Sequence, residues 1–187
     1  MKMTLRLGVV LMALVTFAGV AMAKEPELTV VDAVDLDRYL GEWYEIASYP
    51  AWFQKNCTAV TADYSLRDDG LIKVVNSCRK GSLDGKFKQS TGRAKVVDTE
   101  TNAKLKVSFF GPFWGKYWII DLDPDYQWAV VGEPKRKYLW ILGRTPSMDD
   151  GIYEQILARL PDKGYDPEGL NRTIQPDPQA ESEEVDR

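Results

Sequence analysis

The chain has 187 residues, with 24 lysines and arginines against 28 aspartates and glutamates, a net charge of −4, and no histidine. An acidic balance argues against a nucleic-acid partner, which needs a basic face to meet phosphates. Without histidine, a histidine-based triad, histidine metal ligands and imidazole proton transfer are excluded.

Residues 1–23 have the pattern of a cleaved export signal. Lys2 and Arg6 precede an apolar run from Leu7 to Val20, and Ala21-Met22-Ala23 forms an A-x-A cleavage site. That run is shorter than the roughly 20 residues a membrane-spanning helix needs. Cleavage would leave 164 residues, one domain by length. The net charge would become −6, because Lys2 and Arg6 leave and no acid leaves with them. No cysteine lies in or just after this stretch, so no covalent membrane anchor on an N-terminal cysteine is expected, and a soluble exported protein is. After export, Cys57 and Cys78 would meet an oxidising compartment.

After a short arm, Leu36 to Leu40 reads as one helical turn. The next residues, Gly41-Glu42-Trp43, read as a tight entry into a strand over Glu42 to Tyr49. Short alternating segments then follow, separated by turn signals. They cover Thr58 to Leu66, Leu71 to Ser77, Lys86 to Val97, Lys104 to Phe110, Lys116 to Leu122, Tyr126 to Val131 and Lys137 to Leu142. Asp68-Asp69-Gly70 is a hairpin turn, and Gly111-Pro112-Phe113-Trp114-Gly115 an aromatic loop. Eight strands with short connections imply an all-β antiparallel up-and-down barrel, which removes sheet edges and leaves room for one small ligand.

One helix is predicted next, with Ser147 and Asp150 as a capping pair. Ile152, Ile156, Leu157 and Leu160 form its apolar stripe, and Pro161 and Gly164 end it. It would pack on the side of the barrel, and Asn171 to Ile174 would add a short strand there. Residues 175–187 are Pro- and acid-rich and read as a disordered acidic tail. The domain therefore runs over 24–174. Tyr138 to Arg144 offers a cation that would lie on the Trp43 indole, so that Trp43 and Arg144 seal the barrel floor.

Three stretches resemble the conserved stretches of the lipocalins: Gly41-Glu42-Trp43-Tyr44, Asp123-Pro124-Asp125-Tyr126 and Leu142-Gly143-Arg144. The closer likeness is to the bacterial lipocalins, with plant temperature-induced lipocalins and apolipoprotein D nearby. Tyr64-Ser65-Leu66-Arg67-Asp68-Asp69-Gly70 and Leu105 to Phe113 carry it further, so that it spans roughly Val34 to Ile174. The resemblance implies a cup that binds fatty acids, lysophospholipids or similar small hydrophobic or amphiphilic molecules, without a cofactor. It implies a place in the periplasm or cell envelope. Bacterial members are commonly outer-membrane lipoproteins, and this chain departs from them in lacking the anchoring cysteine.

The resemblance to apolipoprotein D places Tyr64, Asn76 and Trp140 in the pocket. Strand alternation adds Ala62, Val74, Phe109, Tyr138 and Tyr49. Glu45 is expected inward, paired with Arg144 or a tyrosine hydroxyl, since a lone buried carboxylate is costly. Cys57 and Cys78 fall on neighbouring strands at the mouth, where a disulfide is reasonable; a reactive or intermolecular thiol is the alternative. Mouth aromatics beside lysines suit an anionic amphiphile. The rival functions are an enzyme on the same cup and a protein-binding module using the mouth loops.

Overall fold

A computed structural model describes residues 27–177; the stretch expected to be an export signal and the residues beyond Asp177 lie outside the described residues. A helical turn, α1 (Leu36–Tyr39), is capped by the Asp35 side chain, which accepts from the amides of Asp37 and Arg38. Eight strands follow: β1 (Gly41–Ser48), β2 (Cys57–Leu66), β3 (Ile72–Lys80), β4 (Phe87–Val96), β5 (Lys104–Ser108), β6 (Gly115–Leu122), β7 (Trp128–Gly132) and β8 (Leu139–Gly143). Each pairs antiparallel with the next, and β1 pairs with both β2 and β8, so the barrel is closed. The helix α2 (Asp150–Arg159) and a two-residue strand, β9 (Asn171–Arg172), lie on its outside, β9 against β1.

Alternation along the strands divides the apolar residues into two cores. The inner one lies inside the barrel and includes Trp43, Tyr64, Val74, Leu105, Ile119 and Leu142. The outer one lies under α2 and joins Tyr153, Ile156 and Leu160 to Ile46, Ile120, Val130 and Ile141. Both faces of β6, β7 and β8 are therefore buried. The Asp68-Asp69-Gly70 turn needs Gly70 at φ +77°, a conformation glycine adopts without steric cost.

The structure corrects several expectations. A β-bulge between Glu45 and Ala47 shifts the register of β1 against β8. Beyond it the alternation reverses: Ala47 and Tyr49 join the outer core, and Ser48 lies opposite Trp140. Tyr49 therefore does not face the pocket. Its ring meets Tyr165 and its hydroxyl donates to the Asp166 carbonyl at 2.6 Å.

The cap of α2 is Asp149, not Ser147; its carboxylate accepts from the Ile152 amide at 3.0 Å. Ile152 is exposed, and Tyr153 takes its place in the stripe with Ile156, Leu157 and Leu160. Gln175, placed by the sequence in the tail, is held instead: its amide donates to the carbonyls of Glu45 and Val60 at 2.9 Å each.

Candidate functional site

The closed end is built around Trp43, which is fully buried and donates its indole N–H to the Tyr39 carbonyl at 2.8 Å. The Arg144 guanidinium lies over its ring, 3.8 Å from the centroid. Gly41 at φ +91° lets β1 enter close by; a Cβ there would stand 3.5 Å from Arg144 Nη1. Above this floor the lower barrel is packed. Leu36, Tyr39, Ile72, Ala94, Leu105 and Tyr117 surround a remaining cavity of about 10 Å³, at most one water.

Three tyrosines cross the interior at that level. The Tyr117 hydroxyl lies 2.8 Å from that of Tyr39 and 2.9 Å from that of Tyr64. Burial raises all three above the usual phenol range, Tyr64 to about 12, so they are neutral hydroxyls. Three O–H groups with two mutual bonds leave one proton with no acceptor among the described residues. Tyr39 and Tyr64 are buried, whereas Tyr117 keeps part of its surface open.

The upper barrel is open. Ile72 and Val74 are buried and inward, and alternation places Asn76 on the same face, yet Asn76 is exposed. Its partners across the sheet are Ala62, half-buried, and Ser90, exposed. Phe109 packs over Gly92, where a Cβ would come within 2.8 Å of its ring. On the opposite wall Tyr138 and Trp140 stack at 5.8 Å, both half-buried, and Phe53 meets Tyr138 at 5.6 Å. Tyr64, Val74, Ala62, Asn76, Phe109, Trp140 and Tyr138 thus line one interior, from its packed level to its mouth. Cys57 and Cys78 are disulfide-bonded at the rim, with their Cα atoms 5.6 Å apart.

Glu45 departs from expectation. It is buried, but its carboxylate accepts from Ser48 at 3.0 Å, from Thr173 at 2.5 Å and from the Gln54 side-chain amide, not from Arg144 or a tyrosine. The reason is its place at the bulge, where β1 and β2 part and the chain after β9 crosses. Burial raises its pKa, while the bonds from Thr173, Gln54 and Ser48 pull it down. A groove of about 460 Å³ lies beside it, between the Pro50–Asn56 loop and the Asn171–Ile174 segment.

Strand alternation does not mark Tyr39, Tyr117 or Ser48 as interior polar groups. The signal for Tyr39 was its spacing of four from Trp43. Ser48 becomes inward only through the bulge.

A lipocalin-like domain model matches residues 34–175. This chain is a lipocalin. The lipocalin is 47% identical over 139 residues to the outer membrane lipoprotein Blc of Escherichia coli (strain K12), covering 74% of this chain and 78% of that one. It is 40% identical over 169 residues to temperature-induced lipocalin-1 of Arabidopsis thaliana, covering 86% and 90%. With apolipoprotein D of Mus musculus it shares 34% over 184 residues, covering 88% and 94%. Among solved structures, insecticyanin from the tobacco hornworm matches with a TM-score of 0.67 at 19% identity, over 81% of this chain and 86% of that one. That likeness concerns the fold.

Proposed function

We propose that this lipocalin binds fatty acids or lysophospholipids in the upper cup and carries them in the cell envelope, without chemistry. The observation that carries the reading is the exposed, inward-facing Asn76 opposite the stacked pair Tyr138 and Trp140. Apolar and aromatic walls with few polar groups suit an acyl chain. Each CH₂ hidden contributes about 0.8 kcal/mol, so a long tail needs few polar contacts. Asn76, and the unspent proton of the tyrosine cluster, offer hydrogen bonds to a head-group or carbonyl oxygen.

The non-catalytic reading is supported by the disulfide, which occupies both thiols that a nucleophile would require. The envelope is supported by the export pattern at the start of the chain and by the name of the Escherichia coli relative.

Titration of the delipidated protein with a fluorescent fatty acid tests the proposal. Saturable enhancement at micromolar ligand, displaced by lysophospholipid, is expected. No signal with either amphiphile at that concentration would sink it.

A further inference from the structure

Among the described residues, every exposed aromatic side chain lies at the open end: Trp52 (79%), Phe53 (51%), Phe87 (54%), Phe110 (77%) and Phe113 (77%). They come from three of the four mouth connections. The fourth, before β8, carries Lys135, Arg136 and Lys137. Charge is segregated along the same axis. The mouth stretches 49–56, 79–88, 109–116 and 133–137 hold nine lysines and arginines against two acids. The floor connections 66–71, 97–103 and 123–127 hold one arginine against six acids. An acidic protein thus presents one basic, aromatic end.

We propose that this rim docks, mouth first, on an anionic lipid bilayer. Aromatic side chains favour the headgroup zone, where one part of the ring is apolar and another wet. Lysines and arginines within a Debye length of anionic headgroups are attracted to them. Aromatic tips spread around a rim meet a flat surface together, whereas a single partner protein would be met by one contiguous patch. The acidic floor points away from that surface. The docking stands whether or not the cup holds a lipid.

Vesicle flotation of the exported chain tests it, with phosphatidylcholine alone and with equal parts phosphatidylcholine and phosphatidylglycerol. Binding to the anionic vesicles, weakened by salt, is expected. The pair Phe110→Ser with Phe113→Ser, and the pair Lys86→Glu with Lys135→Glu, should each reduce it by about tenfold or more, with unchanged far-ultraviolet circular dichroism. No flotation with anionic vesicles, or flotation indifferent to either pair of substitutions, overturns the proposal. Flotation only with protein-bearing native membranes also overturns it and assigns the rim to a protein partner.

Discussion

Arg144 stands over Trp43 and ties three separate segments to it. Its Nη2 donates to the Arg38 carbonyl at 2.6 Å, its Nη1 to that of Glu42 at 2.9 Å and its Nε to that of Tyr126 at 3.3 Å. One guanidinium thus closes the barrel end by stacking and by three charge-assisted bonds.

Arg144→Leu should therefore lower stability by about 2–4 kcal/mol, read as a shift in urea midpoint at constant slope. Arg144→Lys should recover only part of the loss, because an ammonium cannot both stack flat and reach three carbonyls. A midpoint unchanged in Arg144→Leu would remove the floor from the account of stability.

The tyrosine cluster has a hub and two ends. Tyr117→Phe should cost about 1–3 kcal/mol, since it strands the hydroxyls of both Tyr39 and Tyr64. Tyr39→Phe leaves the Tyr64–Tyr117 bond intact and should cost less. Thermal melts of the two variants compare them directly; equal losses would contradict the hub.

Glu45 holds its proton more tightly in the folded chain than in the unfolded one, chiefly because it is buried. Below the ordinary glutamate value of 4.5 both states are protonated, and the group adds no pH dependence. Above the raised folded value both are ionised, and the penalty of burial is fully present. Its contribution to stability therefore falls as pH rises between those values. Urea midpoints from about pH 4 to about pH 8 should lose this descending component in Glu45→Gln. A variant with the same pH profile as the parent would refute it.

Trp140→Ala should weaken fatty-acid binding by about tenfold or more, since an indole is a large share of the upper wall. Tyr49→Phe should leave affinity unchanged and cost about 1 kcal/mol through its bond to the Asp166 carbonyl. Fluorescence titration and melting of both variants separate inner from outer positions. A Tyr49→Phe protein that binds poorly would restore that residue to the pocket.

Much of this architecture is legible in the order of residues, and the reasons are local. Trp43 and Arg144 stand in short stretches whose glycines and chemistry mark them. The strands are marked by alternation, and their ends by signals such as Asp68-Asp69-Gly70. Tyr49 was misplaced because one extra residue in β1 inverts every side chain beyond it, and a period of two carries no trace of the insertion. The partner Thr173 of Glu45 comes from 128 residues away, beyond any local pattern. Tyr117 was hidden because Tyr117, Trp118, Ile119 and Ile120 are all bulky, as a strand covered on both faces requires.

The chain after β9 rests on two strands that scarcely touch each other at that height. Thr173 donates to the Ile46 carbonyl at 3.0 Å, and Ala59 donates to the Ile174 carbonyl at 2.7 Å, so the segment splints β1 to β2. Such a splint can lift while the strand ladders beneath it stay paired. Deuterium should therefore reach the Thr173 amide well before it reaches the ladder between β3 and β4, so that barrel and splint open as separate cooperative units.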